Sequence, residues 1–234
     1  MKDLDNVHSR LVDKLGRLIA KGKWAKNGFL PREDDLVAEF SVSRTIVREA
    51  TKTLQALGLV NTRPRTGSRI QPITNWRLLD AQVMGWIAAG EISSFMVRDL
   101  LDLRVMIEPS AAAYAAERAN EKNLANIAAS LKDMKLAKTH AAHKRADFRF
   151  HESILDASDN IFILQLKPAL HAVLQGSFKA SMHDVERIKA SIAVHEKVYH
   201  AIECKAPDAA RSAMLELLEV ARNDIEFYYK GSLG

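Results

Sequence analysis

The segment FLPREDDLVAEFSVSRTIVREATKTLQALGLVNTRPRTGSRIQ, residues 29–71, decides the fold of the first third of the chain. Pro31 favours the start of a short helix, and Ser43 is a good N-cap for a second helix that runs to about Leu57. Gly58 is expected to end that helix, because glycine tolerates the positive φ that often follows a helix C-terminus. The segment therefore predicts two short helices separated by a tight turn.

Two short extended runs follow the second helix, at residues 59–62 and 68–71. Arg63, Arg65 and Gly67 lie in the loop between them, so the sequence predicts a β-hairpin with a basic tip. A basic hairpin directly after two helices and a tight turn is the plan of a winged helix-turn-helix.

The chain on both sides of this segment has a helical pattern. Apolar residues recur at helical spacing over residues 6–22, and helical stripes with short connections continue after residue 73. The sequence predicts a mainly α fold. It has a winged helix-turn-helix (three helices plus a β-hairpin) at 1–73, a linker at 74–79 and an all-α antiparallel helical bundle at 80–234.

The positive charge is concentrated in the first third of the chain. Residues 1–72 hold 14 Lys/Arg and 8 Asp/Glu, a balance of +6, whereas the whole chain has a net charge of +5. Basic charge confined to one module favours a polyanionic partner, since Lys and Arg release counterions when they contact phosphate.

The cysteine content and the hydropathy bear on the compartment. Cys204 is the single cysteine, which excludes an internal disulfide and fits a reducing compartment. No apolar run approaches the roughly 18 residues that span a bilayer. We therefore expect a cytoplasmic protein with no membrane anchor.

The start of the second helix carries side chains suited to reading DNA. Arg44 and Arg48 are one turn apart and project from the same face, with Ser43 and Thr45 beside them. Arginine in this position can bind O6 and N7 of guanine, or a phosphate, through two hydrogen bonds. The alternative is a solvated helix face.

Residues 29–71 closely resemble the DNA-binding domain of the GntR family of bacterial regulators. The matching positions are Leu30, Pro31, Glu33, Leu36, Ala38, Phe40, Val42, Ser43, Arg44, Val47, Arg48, Glu49, Ala50, Leu54, Gly58, Leu59, Val60 and Gly67. The resemblance implies that Arg44 and Arg48 contact double-stranded operator DNA from the recognition helix. It also implies that the wing loop, with Arg63, Arg65 and Gly67, lies against the minor groove or the backbone.

Two positions depart from the family pattern. Asp34 stands where well-known members often have a basic residue that helps to read DNA, and Arg65 replaces the first glycine of the wing. We expect the first change to remove one contact and the second to add a phosphate contact. The operator sequence therefore cannot be copied from the family.

Two histidines and an aspartate in the helical part form a candidate metal set. Asp147 and His151 are spaced i, i+4 on a predicted helix, and His195 lies on a later one. An Asp and two His can form a partial coordination set for zinc or a similar divalent metal, completed by water or ligand. The alternatives are a surface hydrogen bond between Asp147 and His151, or direct binding of an effector by these three residues.

The chain from about residue 79 to residue 225 resembles the FCD effector domain, which defines the FadR subfamily of GntR regulators. The matching positions are Arg104, Glu108, Ala115, Ala116, Asp147, His151, Ala157, Ser158, Asn160, His195, Ile202, Asp208, Ala210 and Met214. The resemblance implies an antiparallel helical bundle that encloses a pocket. In metal-bearing members, one Asp and three His lie at the base of that pocket.

One position of this ligand set is changed. Leu217 stands where the resemblance places the third histidine, and leucine cannot bind a metal. The family set therefore retains at most Asp147, His151 and His195. His143, His171 and His200 remain open as substitutes.

The identity of an effector can be approached from Arg104 and from the linker. Arg104 lies on an otherwise apolar stripe, where it either pairs with Glu108 or another buried acid, or clamps the carboxylate of an effector. The resemblance to FCD domains implies a small organic acid. Asn75, Trp76, Leu79, Asp80 and Trp86 resemble the linker of galactonate-type regulators, which favours a sugar acid.

These observations predict a ligand-responsive transcription regulator. We expect a homodimeric repressor that a small carboxylate effector releases from its operator. The alternatives are a metal-dependent enzyme domain joined to a DNA-binding head, and a nonspecific nucleic-acid binder. We expect no enzyme activity, because no general base or nucleophile with a motif accompanies the metal set.

Overall fold

The computed structural model describes residues 2–63, 65–90, 93–170 and 185–231. It divides into two compact units, Met1–Glu91 and Ile92–Gly234. The first unit contains α1 (Lys2–Ala20), α2 (Glu33–Phe40), α3 (Arg44–Ala56), β1 (Val60–Arg63), β2 (Gly67–Ile70), a 3-10 turn (Ile73–Asn75) and α4 (Ala81–Ala88). This is the predicted order of three helices and a hairpin, with one further helix.

The boundaries of α2 and α3 follow their capping residues. The Ser43 hydroxyl accepts a hydrogen bond from the backbone N–H of Ile46 at 3.3 Å, as an N-cap should. α2 begins at Glu33 rather than at Pro31. After α3, Gly58 has φ 82°, and a Cβ there would lie 2.2 Å from the carbonyl oxygen of Asn75. Glycine is therefore required both by the positive φ and by the close approach of the 3-10 turn.

The core of the first unit lies where α1 packs against α3 and α4. The predicted apolar stripes supply most of it. The buried residues are Leu11, Val12, Leu15, Ile19, Leu30, Leu36, Val47, Ala50, Leu54, Leu57, Leu59, Val60, Val83, Met84, Trp86 and Ile87. This packing holds α3 with one face buried and the other exposed.

α4 differs from the sequence-based expectation, which begins the helical bundle at residue 80. In the structure α4 packs against α1 in the first unit. Trp86 is 1% exposed, and its indole N–H donates to Asp13 Oδ1 at 2.8 Å. An apolar stripe indicates that one face of a helix is buried, but it does not indicate which helix covers it.

Replacing Gly16 by alanine is expected to destabilise the protein. The added Cβ would lie 2.4 Å from ring atoms of the buried Trp86. Overpacking costs about 1–3 kcal/mol, which exceeds the gain of about 1 kcal/mol from alanine in a helix. Gly85→Ala is the matched control, because nothing lies within 4 Å of an added Cβ there. Thermal unfolding should show a lower Tm for Gly16→Ala and an equal or higher Tm for Gly85→Ala; the opposite order would contradict the packing of α4 on α1.

The second unit is helical throughout its described residues, as predicted. It contains α5 (Ser94–Arg118), α6 (Glu121–Leu136), α7 (His140–Ala157), α8 (Ile161–Leu164), α9 (Val185–Glu203) and α10 (Pro207–Gly231). α5 packs against α7 and α10, and α6 packs against α7 and α9. The helical stretch that begins at Ile161 is interrupted after Leu164.

The core of this unit is built from small and apolar side chains on α5, α6, α7, α9 and α10. Four alanines of α5, at positions 111, 112, 115 and 116, are at most 2% exposed and let neighbouring helices approach closely. None of the helices in the described ranges has the length and apolar character needed to cross a bilayer.

Candidate DNA interface and candidate metal centre

The exposed face of α3 carries the residues that the sequence predicts to contact DNA. Arg44, Thr45 and Arg48 are all exposed at the start of the helix. Val47, Ala50 and Leu54 bury the opposite face, so the orientation of α3 is fixed by packing. The two arginines therefore lie on a rigid helix and are accessible to a nucleic acid.

The hairpin places further cations near one another. Arg63 is exposed at the end of β1, and Arg65 and Gly67 take positive φ values of 65° and 86° in the turn. Asn61 pairs with Arg69, so Arg69 and Arg63 lie on the same face of the hairpin. Arg69 is exposed, and sequence reasoning missed it. Counting alternate residues along the two predicted strands would have found it.

Both arginines of α3 form ion pairs with acidic residues in the first turn of α2. Arg44 Nη2 lies 2.7 Å from Asp34 Oδ1, and Arg48 Nε lies 2.9 Å from Glu33 Oε2. All four side chains are exposed. The face predicted to contact DNA thus carries anions beside its cations.

The second unit brings Asp147, His151 and His195 together in a buried cluster. Each offers one ligand atom, and these atoms all lie within 4.8 Å of one another. Asp147 and His151 come from adjacent turns of α7, and α9 supplies His195. The exposed fractions are 6%, 4% and 1%, so the alternative of a surface hydrogen bond does not describe this site.

The ring nitrogens of the two histidines have distinct partners. His195 Nδ1 lies 2.7 Å from the carbonyl oxygen of Ser191, and His151 Nδ1 lies 2.6 Å from Glu108 Oε2. Both partners accept hydrogen bonds, so each Nδ1 must carry the proton. The Nε2 atoms lie near Asp147 Oδ1, at 3.0 Å for His195 and 4.0 Å for His151.

His195 Nε2 is a buried atom without a hydrogen-bond partner of good geometry. It lies close to Asp147 Oδ1, and in a ring that is protonated only at Nδ1 this nitrogen and the carboxylate oxygen are both acceptors. Buried polar atoms are rarely left in this state. A cation between the nitrogen and the oxygen would satisfy both, and outer partners such as Glu108 and the Ser191 carbonyl are typical of histidines that bind metals.

Arg104 completes a buried network behind His151. Its Nε donates to Glu108 Oε1 at 2.5 Å, which is the ion pair that the sequence offers as one interpretation of this residue. Its Nη2 is 3.4 Å from Nδ1 and 3.2 Å from Nε2 of His151. With Nδ1 protonated, the His151 Nε2 lone pair is the acceptor within hydrogen-bond reach of this guanidinium.

The electrostatics of the cluster keep both carboxyl groups ionised. Burial raises the pKa of Asp147, but His195, His151 and Arg104 together lower it to about 2. Burial acts on Glu108 in the same way, and Arg104 and His151 lower its pKa to about 2. At neutral pH the site therefore holds two carboxylates and one guanidinium.

His143 and His200, the other named histidines in the described part of the chain, do not join this cluster. His143 is buried on α7 with its Nδ1 3.4 Å from the Met134 carbonyl oxygen, and His200 is exposed on α9. His171 lies outside the described residues. Leu217 is 4% exposed and belongs to the apolar core.

Comparisons with known proteins match both units. Residues 8–70 match the model of bacterial regulatory proteins of the gntR family, and residues 99–220 match the FCD domain. The galactonate operon transcriptional repressor of Escherichia coli K12 is 31% identical over 216 residues, which cover 91% of this chain and 94% of that protein. The chain belongs to the GntR family of transcription regulators. Its FCD domain agrees with the FadR subfamily predicted from the sequence.

Further comparisons agree with this assignment. The putative L-lactate dehydrogenase operon regulatory protein of Escherichia coli K12 is 30% identical over 220 residues, covering 89% of this chain and 82% of that protein. The GntR protein of Streptococcus agalactiae has the same fold, with a TM-score of 0.52, 23% sequence identity and coverage of 92% of this chain and 99% of that one. The predicted mainly α fold with a winged helix-turn-helix and a helical effector domain is confirmed.

Proposed function

We propose that this GntR-family regulator is a cytoplasmic homodimeric repressor that a small organic acid releases from operator DNA. The observation that carries the DNA-binding part is the exposed, basic face of α3 beside the basic hairpin. Arg44, Arg48 and Thr45 would contact base edges or phosphates, with Ser43 fixing the start of the helix. Arg63, Arg65, Gly67 and Arg69 would contact the minor groove or the backbone.

A homodimer gives this interface its specificity. Two copies related by a twofold axis would bind two half-sites of an inverted repeat, one helical turn or a multiple of it apart. A single short recognition helix reads few base pairs, so the second copy supplies the discrimination that one operator needs.

For the sensing part, we infer that Asp147, His151 and His195 bind a divalent metal such as zinc. The unpaired His195 Nε2, and the Nδ1 atoms held by Glu108 and the Ser191 carbonyl, support this, because one ligand atom of each of the three residues lies within 4.8 Å of the others. With Leu217 in place of a histidine, three protein ligands leave a coordination position for an effector oxygen or water. The metal would act there as a Lewis acid that binds the effector carboxylate.

The charge of the site favours metal-assisted binding over direct binding of an acid. Asp147 and Glu108 are both ionised, since both carboxyl groups have a pKa of about 2. These two buried carboxylates repel the carboxylate of an acid. A divalent cation would offset that repulsion and bind the acid directly.

The names of the relatives direct the choice of effector. The galactonate operon repressor and the L-lactate dehydrogenase operon regulatory protein are both named for the operons of hydroxy acids. A hydroxy acid offers a carboxylate and a neighbouring hydroxyl, which can both bind one metal. We therefore propose a sugar acid or another 2-hydroxy acid as the effector. The site binds this acid as a signal and does not turn it over.

Thermal unfolding of the full-length protein tests the sensing site. We expect galactonate or lactate to raise the Tm of the zinc-loaded protein and not that of the metal-free protein. A ligand at 100 times its Kd stabilises by about 2.7 kcal/mol. Galactose, which lacks the carboxylate, is the matched control. Equal stabilisation without zinc would favour direct binding, and no response to any 2-hydroxy acid would refute the proposed effector class.

A further inference from the structure

Asp34 is an acidic residue on the face that is proposed to contact DNA. Its Oδ1 lies 2.7 Å from Arg44 Nη2, and the two side chains are 68% and 62% exposed. The residue comes from the first turn of α2, whereas Arg44 is the first residue of α3. The contact therefore joins the two helices of the helix-turn-helix on the side open to solvent.

Capping of α2 does not account for this contact. Acidic side chains are favourable in the first turn of a helix because they face its positive dipole end. Asp35 takes the capping role, since its Oδ2 accepts from the backbone N–H of Arg32 at 3.2 Å. Asp34 is paired instead with Arg44. That arginine occupies the N-terminal position of α3, where the dipole disfavours a cation, and the carboxylate offsets this effect.

Asp34 changes what Arg44 can bind. Phosphate oxygens and the O6 and N7 atoms of guanine are acceptors, so they compete with the Asp34 carboxylate for the same guanidinium. An exposed ion pair is weak and can open. A guanine that accepts two hydrogen bonds from Arg44 competes with the Asp34 carboxylate better than a single phosphate contact in nonspecific DNA does. The amino groups of cytosine and adenine are the base donors that can then satisfy the released carboxylate.

We propose that Asp34 is a specificity-determining residue that lowers binding to nonspecific DNA by holding Arg44 in an ion pair. The operator opens the pair by offering base acceptors to Arg44 and a base amino group to Asp34. Like-charge and competing contacts of this kind discriminate against wrong partners. The inference rests on the proposed function, in which α3 reads operator DNA.

The test compares Asp34→Asn with Glu39→Gln in the full-length protein. Glu39 is on the same helix and also exposed, but its partner is Lys23, at 2.9 Å, and not an arginine of α3. Fluorescence anisotropy measures the Kd for a duplex that the wild type selects from a random pool and for a scrambled duplex of equal composition. We expect Asp34→Asn to bind scrambled DNA about two- to fivefold more tightly, the range expected for an exposed ion pair. The ratio of the Kd for scrambled DNA to the Kd for selected DNA should decrease by a similar factor.

The control and the double variant decide the outcome. Glu39→Gln removes the same charge and should leave the ratio unchanged. An equal ratio in Asp34→Asn and Glu39→Gln would overturn the inference. In an Arg44→Ala background, Asp34→Asn should lose its effect on the ratio, and an undiminished effect would show that Asp34 does not act through Arg44. If Arg44→Ala alone binds selected DNA as the wild type does, the proposed role of α3 fails instead.

Discussion

Replacing His195 by alanine is expected to abolish metal binding while the DNA-binding unit stays intact. The wild type should bind about one zinc ion per chain, because three buried ligand atoms converge there. Loss of an outer partner of a metal ligand typically costs about 10- to 100-fold in affinity, and loss of a ligand itself should exceed that. Competition with a chromophoric chelator measures the change in zinc affinity.

His200→Ala is the matched control for this experiment. His200 is on the same helix, α9, but it is exposed and lies outside the cluster. The His200→Ala variant should bind zinc with the same affinity as the wild type. Because His195 packs against Phe150 with ring centroids 4.9 Å apart, His195→Gln serves as a second variant that leaves a smaller cavity. Unchanged zinc affinity in both folded His195 variants would refute the metal centre.

Replacing Arg44 or Arg48 by alanine is expected to weaken specific DNA binding strongly. A bidentate contact between arginine and guanine is worth about 1–3 kcal/mol, or roughly 5- to 150-fold in Kd. Both side chains are exposed on the ordered face of α3, so their removal should leave the fold unchanged. Anisotropy on the selected duplex measures the loss, and circular dichroism checks the fold.

Arg149→Ala controls for the loss of one positive charge. Arg149 is an exposed arginine of the helical unit, ion-paired with Asp133 at 2.7 Å. Its replacement should change the Kd for DNA far less than either α3 variant does. If Arg44→Ala, Arg48→Ala and Arg149→Ala all bind the selected duplex equally, the recognition helix is assigned to the wrong residues.

Local signals in the sequence predict much of the first unit. Ser43 and Gly58 mark the two ends of α3, because capping and positive φ depend on the residue itself. The strand pairing of the hairpin follows from its short loop. The partner of α4 could not be predicted, since an apolar face fits any complementary surface and its contact with α1 crosses more than sixty residues of sequence.

The metal cluster was predictable only in its composition. The i, i+4 spacing places Asp147 and His151 on one face of α7, but nothing in that spacing places His195 of α9 opposite them. The contacts between Asp34 and Arg44, and between Glu108 and His151, depend on side-chain rotamers and on packing between helices. The sequence offered both an ion pair and an effector clamp for Arg104, and the structure contains the ion pair.

An acid bound in the helical unit is proposed to control DNA binding. The most direct measurement uses a 2-hydroxy acid that stabilises the zinc-loaded full-length protein. This acid is titrated into the complex of the protein with the selected duplex, and fluorescence anisotropy measures the Kd for DNA. We predict that the acid weakens DNA binding about 5- to 150-fold, the usual range of allosteric coupling, and that His195→Gln does not respond. A Kd for DNA that stays constant while the acid saturates the protein would contradict the account.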